Sequence, residues 1–369
     1  MWGVVFLGKK KKWKICVYMI AKNEEDFVDR VMDSIAEADL VVVGDTGSND
    51  NTIQKFRDRG ARVHSLNLEE FRFDAARNAT LDLVPKDIDI CVSLDCDEVL
   101  QDGWYQDLQE NWKDETTRAS YLLNYAFDDK ENVTIHFNAN WVHAREGYRW
   151  KYAIHETLYR IFDTPENKIK LNKFIHNHHP KPGKKSGNFI HLHEISAEEN
   201  NDFHSLFCLI REYHNVSMYR ECTEVLRKFL ALPGTRWDLQ TAAACCYAGE
   251  AYMKLGDIAN AKITFFTSIV ECPARWREHY YLLAKLYYDE KEYKFSLFFL
   301  EKGLEIKNKD ISYIEKDKYY GYLMWDYAAL SAFYLNLKEK AIEYGKKALE
   351  FLPGDERLIK NLEHYNKMC

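Results

Sequence analysis

The stretch VSLDCDEVL, residues 92–100, decides the fold class of the first half of this chain, because an apolar run ends there on three carboxylates. The Val-Ser-Leu part suits a buried strand, whereas Asp95, Asp97 and Glu98 carry like charges that repel one another when crowded. Side chains two positions apart along a strand share one face only while the strand stays regular. The repulsion between the crowded carboxylates nevertheless favours a strand that ends at Asp95 and a turn beyond it, in which Asp95 and Asp97 can serve one ligand.

Strand and helix patterns alternate before this stretch. Strands are predicted at 14–20, 40–45, 61–66 and 89–95, and helices at 24–38, 48–60 and 73–84. Ser48 is predicted to cap the second helix and Gly60 to end it. Apolar strands alternating with helices indicate a parallel sheet covered on both faces. Ligands of such sheets bind beyond the carboxyl ends of the strands, where the acidic segments GDTGSND and DCDE both fall.

The second half of the chain, from about residue 200, has a helical pattern that repeats. Small and aromatic residues recur at the offsets of a tetratricopeptide repeat. They are Gly249, Tyr252, Ala261, Phe265 and Pro273 in one copy, Tyr287, Ser296, Leu300 and Gly303 in the next, and Ala332, Ala341, Ala348 and Pro353 in a third. A degenerate copy at 208–233 precedes them. The pattern predicts an all-helical array; ordinary amphipathic helices without repeat geometry are the alternative.

Composition limits the classes of function. The chain has 369 residues, 46% of them hydrophobic, and a formal net charge of −7. This length favours about two domains, taking ~150 residues for each. The negative charge gives no general attraction to nucleic acid or to an anionic membrane. The nine cysteines follow no regular spacing, and several lie inside apolar patterns, so they are interpreted as reduced core residues of a cytoplasmic protein.

The N-terminal segment MWGVVFLGKKKKWK, residues 1–14, does not have the pattern of a secretory signal, because its apolar residues precede its charges. Its apolar run is too short to span a bilayer, and the rest of the chain has no spanning segment, so a soluble protein is expected. The KKKKWK run, residues 9–14, is interpreted as a solvated lead-in to the first strand. Contact with phosphates or an anionic surface is the alternative.

The Asp-x-Asp motif at 95–97 suits a divalent cation that bridges a diphosphate. Mg²⁺ and Mn²⁺ prefer oxygen ligands and keep coordination positions for phosphates. A bound cation would also relieve the repulsion between the carboxylates. An exposed acidic turn is the alternative interpretation of this motif taken alone.

Four segments in order, MIAKNEE (19–25), VVVGDTGSNDNT (41–52), FDAARN (73–78) and SLDCDE (93–98), resemble the family 2 nucleotide-sugar glycosyltransferases with a GT-A fold. Looser matches at YRWKYAIHE (148–156) and FIHNHHPKPGKKSGN (174–188) resemble bacterial members with C-terminal tetratricopeptide repeats. That subgroup includes peptide S-glycosyltransferases that modify glycocin-type bacteriocins. The resemblance implies a GT-A domain at 1–200, with a Rossmann-like mixed sheet and helices on both faces, followed by a tetratricopeptide-like helical domain at 201–369.

The resemblance also implies roles in binding a UDP-sugar donor. The residues concerned are Ala21, Asn23 and Glu24 in the nucleotide pocket, Asp45 at uracil N3, Arg77 near the diphosphate, and Asp95 at the ribose or a metal-bound water. Asn78 is expected to hold a loop. Asp97 would bind Mg²⁺ or Mn²⁺ directly, and His178 is either a further metal ligand or a polar loop residue. Where the family more often has Ala, this chain has Cys96, which is either a packed neutral thiol or a site of soft-metal inhibition.

The acceptor side of the site is predicted at His155 and Glu156, which match a segment expected near the acceptor. A carboxylate at Glu156 could take the proton of an incoming hydroxyl or thiol. Trp150 is expected to pack, with stacking on a sugar as the alternative. His191 and His193 alternate in FIHLHE (189–194), which predicts an extended segment with both histidines on one face and no metal role.

These observations predict a metal-dependent inverting glycosyltransferase that moves a hexose from a UDP-sugar to a Cys, Ser or Thr side chain of a peptide or protein. The repeats would hold the acceptor, and a homodimer formed through them is a further hypothesis. Two alternatives stay open: the same chemistry on modified DNA or a surface glycan, and an inactive tetratricopeptide adaptor. The negative charge disfavours DNA without excluding it. No motif specifies the hexose.

Overall fold

The computed structural model describes residues 12–180, 189–234, 238–307 and 317–368. The chain divides into two compact units, residues 1–185 and 186–369. Residues 9–11 of the lysine run at 9–14 lie outside the described residues. Within the described ranges, no helix combines the length and apolar character needed to cross a membrane.

The first unit is built on a mixed β-sheet. Its strands are β1 (Ile15–Ala21), β2 (Leu40–Asp45), β3 (Arg62–Ser65), β4 (Ile90–Ser93), β5 (Glu98–Leu100), β6 (Arg118–Phe127), β7 (Val133–Ala144), β8 (Tyr148–Lys151), β9 (Thr157–Arg160) and β10 (Lys168–His178). Its helices are α1 (Val28–Ser34), α2 (Thr52–Asp58), α3 (Phe73–Asp82) and α4 (Trp104–Asn111). Eight strands form one sheet in the order β3-β2-β1-β4-β7-β6-β10-β5, and β8 pairs with β9 as a hairpin.

The parallel pairing predicted from the alternating pattern holds for β3, β2, β1 and β4. The next strand, β7, runs antiparallel to β4 and to β6, and β10 then pairs parallel with β6. The mixed sheet with helices, followed by an all-helical array, is confirmed. The short-range pattern could not indicate the second half of the sheet, because β7 and β10 pair with strands distant in sequence or out of chain order.

Strand β1 lies at the centre of the parallel part and is buried on both faces. Ile15, Val17 and Met19 pack into one apolar cluster, while Cys16 and Tyr18 pack into a second cluster on the other face. Alternate side chains of a strand point to opposite faces, so a strand covered on both sides is apolar at nearly every position. This packing explains why apolar residues run continuously through β1. It also places Cys16 in the core, as predicted.

Some predicted element boundaries were wrong. Helix α1 covers 28–34 rather than 24–38, because residues 25–27 and 35–37 form turns on either side of it. Helix α2 begins at Thr52 with Asn51 at the N-cap position, so Ser48 does not cap it. Ser48 Oγ instead accepts a hydrogen bond of 3.0 Å from the Asn23 amide and ties two loops together.

The prediction of an extended FIHLHE segment was also wrong. His191 and His193 lie in helix α5 (Ile190–Asn200), where His191 is exposed and His193 is buried. Residues two apart on an α-helix are about 200° apart around its axis, so the histidines do not share a face. Short alternation of apolar and polar residues fits either conformation, and the helix-compatible residues that follow decide it.

The second unit is helical in its described part. After α5 come α6 (Phe203–Asn215), α7 (Tyr219–Ala231), α8 (Asp238–Lys254), α9 (Ile258–Glu271), α10 (Glu278–Asp289), α11 (Tyr293–Glu305), a 3₁₀ turn (Asp317–Tyr319), α12 (Tyr322–Tyr334), α13 (Lys338–Phe351) and α14 (Glu356–Asn366). Helices α6 to α13 pack as consecutive pairs, and α5 packs against α6. The boundary predicted between 200 and 201 falls immediately after α5.

The small residues of the repeat pattern lie where two helices approach closely. A Cβ atom on Gly249 of α8 would lie 2.3 Å from Cε1 of Phe265 on α9, so only glycine fits at this position. Phe265 is fully buried and fills the space between the helices. The helical array predicted from these offsets is confirmed.

His279 makes the stability of the second unit depend on pH. Its side chain is buried in α10 beside Ser268, and burial lowers its pKa from 6.5 to about 3. Because folding favours its neutral form, its contribution to the free energy of unfolding is complete above pH 6.5 and is lost as the pH falls toward 3. In that window we expect this residue to add a slope of about 1.4 kcal/mol per pH unit.

Urea unfolding of the His279→Asn variant at several pH values between about 4.5 and 7 tests this expectation. Asparagine keeps a polar partner for Ser268 but does not titrate, so the variant should lose less stability on acidification than the wild type. The exposed His364 provides the control, because His364→Asn should leave the slope unchanged. Equal slopes for His279→Asn and the wild type would contradict the assignment.

Candidate active site

A cavity of about 170 Å³ lies at the carboxyl end of β4. Its lining residues are Arg77, Ser93, Leu94, Asp95, Glu98, Trp141, Trp150, His155 and Glu156. The structure therefore brings together Arg77 and Asp95, predicted at the donor, with His155 and Glu156, predicted at the acceptor. Asp95 follows β4, Arg77 lies on α3, and His155 and Glu156 lie in the turn of the β8–β9 hairpin, so contacts among these three elements bring the distant segments together.

Arg77, on α3, is the cation at the centre of this cavity and is 8% exposed. Its Nε donates to Glu156 Oε1 at 2.5 Å, its Nη2 to Asp95 Oδ1 at 2.8 Å, and its Nη1 to Ser93 Oγ at 3.3 Å. The guanidinium also lies over the Trp150 ring, with 5.0 Å between Cζ and the ring centroid. A buried guanidinium needs such partners, and each carboxylate is held in a defined place by it.

Asp95 lies in a concentration of negative charge. Burial raises its pKa to about 6; Arg77 opposes this shift, whereas Glu98, Glu156 and Asp97 reinforce it. The side chain nevertheless has 41% of its surface accessible, because it lines the cavity. A cation entering this cavity would reduce the repulsion, which gives a physical reason for the crowded carboxylates of the sequence.

The DCDE segment forms a turn between β4 and β5, as predicted. The Asp95 amide donates to Glu98 Oε2 at 2.7 Å, and the Glu98 amide donates to the Asp95 carbonyl at 3.1 Å. Cys96 points away from the cavity into the core, with its Sγ 3.9 Å from Met19 Sδ. Burial raises the pKa of its thiol, so Cys96 is a packed neutral residue rather than a soft-metal site.

Asp97 and His178 face one another at the edge of this turn. Asp97 Oδ2 lies 3.7 Å from His178 Nε2, and their side chains are 14% and 17% exposed. His178 Nδ1 donates to the Tyr125 carbonyl at 3.0 Å, which directs Nε2 toward Asp97. The neighbouring Asp97 raises the pKa of His178 against the effect of burial. The pairing arises because β10 lies antiparallel to β5, with His178 opposite Glu98.

This pair fits a divalent cation that takes part of its coordination from substrate. Hydrogen bonding of one imidazole nitrogen to a carbonyl is the usual way of orienting a ligating histidine. Among the described residues, no group of three or more His, Cys, Asp or Glu side chains is arranged to hold a metal ion. Two protein ligands would leave positions for phosphate oxygens and water, as Mg²⁺ and Mn²⁺ require.

The residues predicted to bind the nucleotide lie at the ends of β1 and β2 and in the loops that follow them, and hydrogen bonds join these two loops. The Asn49 amide donates to Asn23 Oδ1 at 2.7 Å, and the Glu24 amide donates to Thr52 Oγ1 at 2.8 Å. Ala21, the last residue of β1, accepts from the Thr46 amide through its carbonyl. These contacts bring Ala21, Asn23 and Glu24 beside the end of β2.

Asp45 ends β2 and is 2% exposed. Its carboxylate accepts hydrogen bonds from the amides of Gly47 at 3.0 Å and Ser48 at 3.2 Å. Gly47 has a φ of +102°, a conformation that favours glycine and shapes this turn. The carboxylate therefore has a local structural partner in addition to any ligand, and its oxygens keep further acceptor capacity.

The turn between β8 and β9 presents His155 and Glu156. Tyr152 and His155 have positive φ values of 80° and 53°, which is strained for non-glycine residues and is frequent at functional sites. The turn is joined to α3, because the Phe73 amide donates to the Ala153 carbonyl at 3.0 Å. His155 is exposed, whereas the Glu156 side chain is 11% exposed.

Two sets of hydrogen bonds join the β8–β9 hairpin to α3 and to the sheet. The Asn78 side chain donates through Nδ2 to the Trp150 carbonyl and accepts at Oδ1 from the Trp150 amide, both at 2.9 Å. Asn78 was expected to hold a loop, and it holds this hairpin. Trp150 Nε1 donates to Tyr18 Oη at 2.9 Å, and Tyr18 Oη lies 3.0 Å from Nε2 of the buried His143. Burial lowers the pKa of His143 to about 3, so it accepts from Tyr18 while neutral. Trp150 is 5% exposed and packs, as predicted.

Sequence reasoning missed several residues of the site. Ser93 and Trp141 line the cavity, and Glu98 pairs with His176 at 2.9 Å between Oε2 and Nε2. Ser93 and Glu98 lie within the segment 92–100. The polarity of Ser93 and the charge of Glu98 were the local indications that they belong to the site. Trp141 lies on β7, a strand whose place beside β4 no local pattern shows.

The first unit is a mixed sheet with helices, and an all-helical array follows it in the chain. Residues 16–180 match the family described as Glycosyl transferase family 2. This part of the chain, which contains β1 to β10, is therefore a family 2 glycosyltransferase domain. No curated protein matches the chain.

Several solved structures are similar to part of this chain. The MamA protein is 22% identical, over 44% of this chain and 79% of that chain, with a TM-score of 0.35. The N-terminal domain of stress-induced protein-1 from C. elegans is 20% identical, over 36% of this chain and 100% of that chain, with a TM-score of 0.30. The C-terminal part of a TPR repeat-containing protein from Cytophaga hutchinsonii is 15% identical, over 48% and 64%, with a TM-score of 0.39.

Proposed function

We propose that this protein is an inverting glycosyltransferase that moves a hexose from a UDP-sugar to a side chain of a peptide or protein. The observation that supports this most is the placement of Arg77 between Asp95 and Glu156 in a family 2 domain. Arg77 would offer positive charge to the diphosphate, and Glu156 would offer a base to the acceptor. Asp97 lies two residues after Asp95 of the cavity, in the turn between β4 and β5.

On the donor side, the loops containing Asn23 and Asp45 would bind the uridine, and Arg77 would donate hydrogen bonds to the diphosphate. A divalent cation held by Asp97 and His178 would supply positive charge to the leaving diphosphate. Groups placed in advance where charge develops usually make the largest contribution to catalysis. Asp95, held by Arg77, would contact the ribose or a water molecule of the cation.

On the acceptor side, the Glu156 carboxylate would take the proton of a hydroxyl or thiol. The freed electron pair attacks the anomeric carbon from the side opposite the diphosphate. A new bond forms from oxygen or sulfur to that carbon, and the bond to the diphosphate oxygen breaks with its electron pair leaving on UDP. One displacement inverts the anomeric configuration. A thiol would need the base less, because it is already partly ionised at neutral pH.

The helical repeats would bind the acceptor, a proposal supported by tyrosines on neighbouring helices. Tyr288 and Tyr327 contact each other between α10 and α12, and Tyr334 stacks on Tyr293 at 4.4 Å between ring centroids. Tyr334 is 52% exposed. Accessible tyrosines are typical of protein-binding surfaces because they combine a large rigid ring with a hydroxyl.

Incubation of the full-length protein with a panel of UDP-sugars, Mn²⁺ and a peptide library tests the proposed function. Mass spectrometry should show the mass of one hexose, or of one N-acetylhexosamine, added to a Cys, Ser or Thr residue. Parallel reactions with a surface glycan and with modified DNA test the alternative acceptors. If the protein neither transfers nor hydrolyses any UDP-sugar, the result would instead support the interpretation of an inactive tetratricopeptide adaptor.

Tyr334→Ala should lower the rate of acceptor modification about tenfold, the cost of one aromatic anchor in an interface. UDP-sugar hydrolysis should not change, because the residue lies outside the family 2 domain. Phe351→Ala is the matched control, since Phe351 is a similarly exposed ring elsewhere on the array. If Tyr334→Ala leaves modification intact but alters light scattering, the repeats serve self-association instead.

A further inference from the structure

Glu98 is a buried carboxylate that the proposed chemistry does not use. It is 4% exposed, and its Oε2 accepts from the Asp95 amide at 2.7 Å. The same oxygen lies 2.9 Å from Nε2 of His176, which is fully buried. His176 in turn packs against Tyr121, with 5.7 Å between ring centroids. Glu98 thus links the turn after β4 to the interior of the sheet.

The contacts of Glu98 close the turn that presents both aspartates. Its side chain binds the Asp95 amide, while its own amide binds the Asp95 carbonyl, so the two residues are joined at both ends. Asp97 lies inside this closed turn, and its carbonyl accepts from the His179 amide at 2.9 Å. A side-chain carboxylate holds a backbone amide in place only if the side chain has the right length, because hydrogen bonds weaken steeply with distance.

We propose that Glu98 is a positioning residue that sets the place of Asp97 relative to His178 through its hydrogen bond to the Asp95 amide. Its reach, rather than its negative charge, is the property that matters. This inference rests on the proposed function, because it concerns the residues that would hold the divalent cation. A role of the charge itself is the competing explanation, and the two make opposite predictions for conservative variants.

Glu98→Asp keeps the charge but shortens the side chain by one methylene, so it cannot reach both partners. Glu98→Gln keeps the reach and an oxygen acceptor but removes the charge. The probe is Mn²⁺ itself, titrated into the full-length protein in the presence of UDP and followed by the electron paramagnetic resonance of free Mn²⁺. We expect Glu98→Asp to weaken Mn²⁺ binding at least about tenfold and Glu98→Gln by no more than about threefold.

Asp107 offers a matched control, because it too is a buried carboxylate that accepts from backbone amides, those of Lys173 and Phe174 at 2.8 and 3.0 Å. Asp107→Asn and Asp107→Glu should change the melting temperature without changing Mn²⁺ affinity. Near-ultraviolet circular dichroism identifies any variant that does not fold.

Wild-type Mn²⁺ affinity in a folded Glu98→Asp variant would overturn the inference, and so would a loss confined to Glu98→Gln, which would assign the effect to charge. Absence of Mn²⁺ binding by the wild type would also overturn it. The proposed function fails separately: if the Mn²⁺ pattern holds but no sugar is transferred to any acceptor, the inference stands and the transferase assignment does not.

Discussion

Replacing Asp97 by Ala should lower sugar transfer at least about 100-fold while leaving the fold intact, because a metal ion supplies several kcal/mol of charge stabilisation. The side chain faces His178 at the edge of a turn and makes no contribution to the apolar core. Its loss would remove one of two protein ligands and weaken binding of the cation. Transfer rates with saturating UDP-sugar, measured over a range of Mn²⁺ concentrations, give the loss of affinity and of rate.

Asp102→Ala is the control for this variant, since Asp102 is an exposed aspartate that follows β5. It should transfer sugar at the wild-type rate. Transfer by the wild type at full rate in the presence of a strong chelator would show that the reaction does not use the cation.

Replacing Glu156 by Gln should lower transfer to a hydroxyl acceptor about 10²–10⁴-fold, the usual contribution of a general base. Glutamine keeps the size of the side chain and an oxygen for the Arg77 Nε–H, so the cavity should keep its shape. With a thiol acceptor the loss should be smaller and should diminish as the pH rises, because the thiolate then forms without a base.

Initial rates with paired serine and cysteine peptides, together with UDP affinity by calorimetry, measure these effects. UDP affinity should be close to that of the wild type. Glu146→Gln, at an exposed position in the same domain, should have no effect on either acceptor. An unchanged rate with the serine peptide would assign the base to another residue, with His155 the next to test.

The parallel half of the sheet could be predicted because its strands are short apolar runs, each followed by a turn or a polar segment. The Asp97–His178 pair could be expected only from resemblance, since β5 and β10 meet through a pairing between distant parts of the chain. Nothing local shows that Glu98 lies next to His176 or that Arg77 binds both Asp95 and Glu156. These contacts depend on the order of strands in the sheet.

Element ends were less predictable than elements, for reasons visible at single residues. The Glu24 amide donates to Thr52 Oγ1 of another loop at 2.8 Å, and α1 begins only at Val28, later than its apolar spacing indicates. Ser48 has the residue type of a helix cap, but its hydroxyl is engaged by the Asn23 amide of another loop. In both cases a contact between separate segments overrides the local preference.

The eight described cysteines are all buried as free thiols, three in the first unit and five in the second. A thiol reagent added to the native protein can therefore reach each of them only after the surrounding structure opens. Cys16, Cys91 and Cys96 would record the opening of the glycosyltransferase domain, and Cys222 and Cys245 that of the helical array. Timed alkylation followed by peptide mass spectrometry would thus measure the opening rates of both units in one chain without any mutation. Added UDP should slow only the alkylation of Cys16, Cys91 and Cys96.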